Sequence, residues 1–219
     1  MGEFASLSLL TGAAIGALPT WDSHRFRLTQ CRRWSRCGSN LCPTCSFAKA
    51  FKRRDVLHGT ASTIAPKRLR LITLNGADQP LESLRECSRQ MMTAARQTLK
   101  NLKVPGAALK LESSFLHWDK GIYHPHAHLL ADTPTGGRGF IPAHAWGDEF
   151  FERLPNCWHP TADHVDVSGT IDSVFASASY LTKSPFHGAS TLDVARIVAA
   201  IDATAGLQQY VCFGTLRAA

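Results

Sequence analysis

A chain of 219 residues that is 44% hydrophobic and 19% charged is neither disordered nor fibrous, and suits one ordinary domain with a small appendage. Lys and Arg outnumber Asp and Glu by 24 to 17, a formal charge of +7 that favours polyanionic partners over acidic surfaces. No apolar run reaches the roughly 18 residues of a helical membrane span, so a soluble protein without a membrane partner is expected.

Residues 1–20 read as a tail or packing arm that ends at the turn signal Pro19. Ala5 to Leu18 has the apolar character of a signal-peptide core, but Met1-Gly2-Glu3-Phe4 places no positive residue before it, so export is not expected. Residues 21–64 read as a zinc-binding basic module. Four of the seven cysteines, Cys31, Cys37, Cys42 and Cys45, fall within fifteen residues, which suits metal binding in a reducing compartment better than a disulfide framework. The Cys42-Pro43-Thr44-Cys45 knuckle lets two thiolates reach one ion while Cys31 and Cys37 complete a closed tetrahedral Zn2+ site of structural type. Buried free cysteines are the plainer alternative, and His24 is a possible substitute for Cys31.

From Ser46 the run Phe47-Ala48-Lys49-Ala50-Phe51-Lys52-Arg53-Arg54 reads as a basic helix, with Lys49, Lys52, Arg53 and Arg54 as candidate phosphate contacts. Between Cys31 and Arg70 ten Lys and Arg stand against the single acid Asp55, a clustering expected of nucleic-acid binding.

Residues 65–219 read as the main domain. Leu69 to Leu74 is a short strand closed by Asn75-Gly76, and a long helix follows from about Pro80 to Lys103, stopped by Pro105-Gly106. Ala107 to Leu116 and Ile122 to Ala131 read as a hairpin around His117-Trp118-Asp119-Lys120-Gly121. Pro134 to Gly139 is a loop, Ile141 to Leu154 a helix and His164-Val165-Asp166-Val167 a strand. Asp172 to Lys183 and Thr191 to Ala205 are helices, and Tyr210 to Leu216 is a closing strand. His144, His159 and His164 have no partner at ligand spacing and read as ordinary.

The second arm of the hairpin carries His124-Pro125-His126-Ala127-His128-Leu129-Leu130. On a strand, alternation puts His126 and His128 on one face and Ala127 and Leu129 on the other. Crowded imidazoles are costly unless a metal or an anion holds them, so this pair reads as a metal site; polar residues on a wet strand face are the bland alternative. Glu112 on the first arm lies near His126 as a candidate third ligand, or pairs only with Lys110, depending on a register that the turn does not settle. Tyr180 stands three residues before Lys183, so phenol and ammonium are expected on one helix face.

Taken together, Cys42-Pro43-Thr44-Cys45, Leu71-Ile72-Thr73-Leu74, the histidine motif, Ser179-Tyr180-Leu181-Thr182-Lys183 and the ending Phe213-Gly214-Thr215-Leu216-Arg217 resemble the rolling-circle plasmid replication initiators within the His-hydrophobic-His (HUH) endonucleases. The resemblance spans about residues 31–217, and its most specific part is the histidine motif followed some fifty residues later by a tyrosine. It implies an α+β fold with a central antiparallel sheet flanked by helices, and a nickase for single-stranded or hairpin origin DNA. It further implies that His126 and His128, with Glu112, bind Mg2+ or Mn2+, that Tyr180 is the nucleophile and that Lys183 assists it. A plasmid- or phage-encoded protein of a bacterial or archaeal cytoplasm follows, with a host helicase and polymerase as partners, since no GxxxxGK[ST] pattern occurs.

The chain departs from that family at two places. Ala176 stands where many initiators carry a glutamate that activates water, and Ser179 where a lysine often precedes the tyrosine. A single-strand transposase of the same chemistry, a zinc-dependent DNA-binding repressor without catalysis and a hydrolase of small phosphoesters are the rival readings. A phenol of pKa about 10 is only about 0.1% ionised at neutral pH, so its attack on a phosphodiester needs a neighbouring cation.

Overall fold

The computed structural model describes Cys31 and residues 37–117, 121–133, 141–154, 165–170, 173–185, 187 and 191–217. The expected tail over residues 1–20, His24, the loop over 134–139, His159 and His164 lie outside the described residues. Helix α1 (Pro43–Ala61) leaves the cysteine segment, and a short 3-10 turn (Pro66–Arg68) leads into β1 (Leu69–Asn75), β2 (Gln79–Pro80) and α2 (Leu81–Asn101). The hairpin of β3 (Gly106–His117) and β4 (Ile122–Asp132) precedes α3 (Ala143–Phe151), β5 (Val165–Thr170), α4 (Val174–Thr182), α5 (Thr191–Ala203) and β6 (Tyr210–Gly214).

The fold is α+β. Its sheet runs in the order β5-β1-β4-β3-β6, each strand antiparallel to its neighbours, with the short β2 also paired to β4. By residue number the chain divides into two compact units, residues up to Arg53 with Thr182–Ala205, and Arg54–Leu181 with Gly206–Ala219. The second unit contains the whole sheet.

Each sheet face is apolar where helices cover it. On one face Ile72, Leu74, Leu109, Leu111, Ala127, Leu129 and Ala131 pack against Cys87, Met91, Ala95 and Leu99 of α2 and Trp146 and Phe150 of α3. The α2 contributors recur at helical spacing, and removing a fully buried Leu such as Leu99 costs about 2–5 kcal/mol. On the other face Leu69, Ala108 and Leu130 pack against Leu57 and Ala61 of α1 and Ala178 and Leu181 of α4. That second core covers the sheet only as far as Leu130. His128 and His126, two and four residues back on the same face of β4, lie beyond it.

The expected elements recur with shifted ends. The basic helix expected to begin at Ser46 starts at Pro43, because proline at a first helical position needs no amide hydrogen, and it runs on to Ala61 because Leu57 and Ala61 bury one turn apart. The strand expected over 164–167 extends to Thr170, paired against β1. Helix α2 stops where Lys103 turns left-handed at φ 53° and the Val104 amide donates to the Leu99 carbonyl, a 6→1 closure. The two-residue β2 shows no periodicity and had no signal in the sequence.

The closing strand ends at Gly214, where φ is +56° and an added Cβ would stand 1.9 Å from the Pro105 carbonyl oxygen. Gly214→Ala is therefore expected to lower the unfolding free energy by about 2–4 kcal/mol, through left-handed strain together with a backbone collision. The paired control is Gly59→Ala in α1, where a Cβ meets nothing within 4 Å; it should be neutral or stabilising by up to about 1 kcal/mol. Urea midpoints of the two variants at unchanged slope check this.

Candidate functional site

Strand β4 is the middle of the sheet, so its side chains are placed by hydrogen-bonded strands on both sides. Register sets Thr73 of β1 and Lys110 of β3 beside His128, and Asn75 and Glu112 beside His126. Residues directly opposite in an antiparallel pair share a face, so Glu112 joins the two histidines. The Glu112 Oε2 atom lies 3.6 Å from His126 Nε2 and 3.5 Å from His128 Nε2. The two imidazole rings meet edge to face, with centroids 4.6 Å apart.

The far nitrogens are tied down. His126 Nδ1 donates to the His124 carbonyl oxygen at 3.2 Å, and His128 Nδ1 lies 3.1 Å from the Thr73 hydroxyl. With a cation bound, Nδ1 would carry the proton in each ring and both Nε2 lone pairs would turn to the ion beside the Glu112 carboxylate, the outer-shell arrangement that orients metal-ligating imidazoles. The three ligand atoms all lie within 4.8 Å of one another, and ligands of one ion bonded at about 2.1 Å stand roughly 3.0–3.5 Å apart. The donor set fits a divalent cation.

Glu112 has an ion pair on its other oxygen, with the Lys110 ammonium. Burial pushes its carboxyl pKa up, but hydrogen bonds from His126 and His128 and the charge of Lys110 outweigh this and hold it well below the usual carboxylate range. A depressed folded pKa stabilises the protein above the unfolded value of about 4.3, and that contribution is lost as pH falls toward the folded value. The stability of the metal-free chain should therefore fall below about pH 4.3. The acid limb of that curve should be shallower in Glu112→Gln, as read by urea unfolding across pH.

Tyr180 reaches the same place from α4. Ala178 and Leu181 are fully buried against the sheet, which fixes the helix and turns the Tyr180 hydroxyl to 3.2 Å from His128 Nε2. The rings of Tyr180 and His128 meet at 4.9 Å between centroids, and Tyr180 remains 41% exposed. A phenol presented to solvent beside a partly buried His/His/Glu set is accessible to a large substrate. Helix α4 stops at Thr182, one residue short of Lys183, so the helix face that Tyr180 and Lys183 were expected to share is not completed. Pro185 explains the stop, since it disfavours helical backbone at Ser184.

In the other unit the four expected cysteines converge. Their Sγ atoms lie 3.5 Å apart for Cys31 and Cys45, 3.6 Å for Cys37 and Cys45 and 3.4 Å for Cys42 and Cys31. These are far from a disulfide bond of about 2.05 Å and close to the roughly 3.8 Å between thiolates around a tetrahedral ion with bonds of about 2.3 Å. Cys37 is pushed up to about 11, and Cys42 is raised further still, in each case chiefly by burial. Burial pushes Cys31 up too, but hydrogen bonds from its three neighbours outweigh this and lower it, and a cation among the four would favour the thiolate at all of them. The group could hold a metal ion and is compatible with zinc.

Of the four candidate phosphate contacts, Lys49 is turned back on this loop, donating to the Gly38 carbonyl oxygen at 2.5 Å and Asn40 Oδ1 at 2.8 Å. It braces the cysteine turn. Lys52 and Arg53 are exposed, and Arg54 forks onto the Asp55 carboxylate. The sequence carried no sign of Thr73 as the group orienting His128, because that role exists only through the β1–β4 register. His124 lies on the same strand face and pairs with Asp78 at 2.9 Å. Among the described residues, no helix is long and apolar enough to cross a membrane. No family model, curated protein or solved structure matches the chain.

Proposed function

We propose that the chain is a site-specific DNA strand nickase and ligase of the HUH type, acting at a rolling-circle replication origin on single-stranded or hairpin DNA. The observation that carries this reading is the apposition of an exposed tyrosine hydroxyl, 3.2 Å from His128 Nε2, with a His/His/Glu set carried by the central strand β4 and its neighbour β3. His126, His128 and Glu112 hold Mg2+ or Mn2+, which when bound polarises a phosphate oxygen and neutralises developing charge. Cys31, Cys37, Cys42 and Cys45 hold a structural Zn2+.

The Tyr180 oxygen attacks phosphorus, the bond to the 3′-oxygen breaks, and the proton lost by the phenol is balanced by the one that the leaving oxygen takes up. The products are a 5′-phosphotyrosine and a free 3′-OH. That ester keeps the energy of the broken bond, so a 3′-OH can attack it and restore the strand. Ala176 is exposed and offers no carboxylate to activate water, which favours release by strand transfer over hydrolysis. Unwinding falls to a separate helicase, and extension of the 3′-OH to a polymerase.

The test is incubation of the protein with a pool of 3′-labelled single-stranded oligonucleotides and Mn2+, followed by a denaturing gel. A labelled band of protein plus DNA, removed by protease, supports the reading. DNA binding without any adduct would support a zinc-dependent repressor, and selection of mobile-element ends over replication origins from the pool would support a transposase.

A further inference from the structure

Among the described residues four large apolar side chains remain substantially exposed: Phe51, Val56, Phe175 and Tyr180. Tyr180 has a role in the site already described. Phe175 stands five residues before it on α4, about 7.5 Å along the helix axis and about 140° around it, and is 48% exposed. The inward side chains of this helix are Ala178 and Leu181, so Phe175 adds little to the core.

Its surroundings are cationic and aromatic. The Arg54 guanidinium carbon lies 5.0 Å from the Phe175 ring centroid, and the His58 ring meets Phe175 at 5.4 Å and 84°. Arg54 and His58 are one turn apart on α1, so a single helix face frames the phenyl ring with two nitrogen-rich planes. The guanidinium is also forked to Asp55, which holds its plane in position over the ring. A flat hydrocarbon surface left open beside a guanidinium, in a chain of net charge +7, has the make-up of a platform for a nucleobase.

We propose that Phe175, flanked by Arg54 and His58, stacks a base of the single-stranded DNA that enters the Tyr180 site. This rests on the nickase reading for the identity of the strand. Stacking on a phenyl ring tolerates any base, so this contact adds affinity and holds the strand without selecting sequence.

The test measures binding in a Tyr180→Phe background, where no covalent trap can form, using a fluorescein-labelled single-stranded 20-mer and anisotropy. Phe175→Ala is expected to weaken Kd roughly 5- to 100-fold with an unchanged salt slope, because stacking releases no counterions. Phe175→Trp is expected to retain or tighten binding, and its added indole fluorescence should be quenched by DNA. Equal Kd for Phe175→Ala and the background would overturn the platform, as would equal weakening by Ala and Trp with a lowered melting temperature, which marks a packing role. Failure to bind single-stranded DNA at all also overturns it. Adduct formation by otherwise unmutated Tyr180 protein is read separately, so binding that depends on Phe175 without any adduct overturns the nickase reading alone.

Discussion

Tyr180→Phe is expected to abolish the covalent DNA adduct, lowering its rate of formation by at least about 10^4-fold, while single-stranded DNA still binds with nearly the parent affinity. Loss of a nucleophile removes the reaction path outright, which is why effects of this size accompany such changes. The substitution deletes one oxygen and keeps the ring that contacts His128, while Ala178 and Leu181 continue to dock α4. The hydrogen bond to His128 is lost, a matter of about 1 kcal/mol.

The chain offers two other tyrosines as controls. Tyr123 is 4% exposed, and the Tyr210 hydroxyl is engaged by the Cys212 thiol. Tyr210→Phe should leave the adduct intact. An adduct that survives in Tyr180→Phe would remove Tyr180 from the reaction and the proposed function with it.

The second large effect concerns the cysteines. Zinc removal by a strong chelator, or Cys42→Ser, is expected to unfold the segment around Cys31–Cys45 and to take the bound zinc from one ion per chain to none. Structural zinc sites in short segments contribute about 10–16 kcal/mol of apparent binding energy at neutral pH, more than most whole domains hold in stability. Cys37 and Cys42 are held protonated by burial, so metal binding must release protons there and should weaken in acid. Native mass spectrometry for zinc content, with far-UV circular dichroism before and after chelation, checks both halves. A chain that keeps its fold and its melting temperature without zinc would show these cysteines to be ordinary buried thiols.

The two metal sets also make separable predictions because their donors differ. Four sulfurs select a soft ion and close the site, whereas two imidazoles and a carboxylate suit a harder ion and leave positions for phosphate or water. Loss of the zinc should therefore act on folding, and loss of the His/His/Glu ion on chemistry.

Local chemistry made much of this protein readable from its residues in order. The CxxC knuckle, the alternation of His126 and His128 against Ala127 and Leu129, and the helical recurrence of Leu84, Cys87, Met91 and Ala95 each depend on neighbours a few residues apart, and each reappears in the structure. What the order of residues left open was distance across the chain. Glu112 could have faced either side of its strand until the β3–β4 register paired it with His126, and Thr73 acquired a role only by lying beside His128. The approach of Tyr180 to His128 depends on Ala178 and Leu181 docking on the apolar patch of Leu69, Ala108 and Leu130 that ends just short of the histidines. Periodicity is a property of a short segment and survives in the sequence, whereas cross-strand pairing and helix docking are settled by which apolar faces meet, and that is decided only when the whole chain packs.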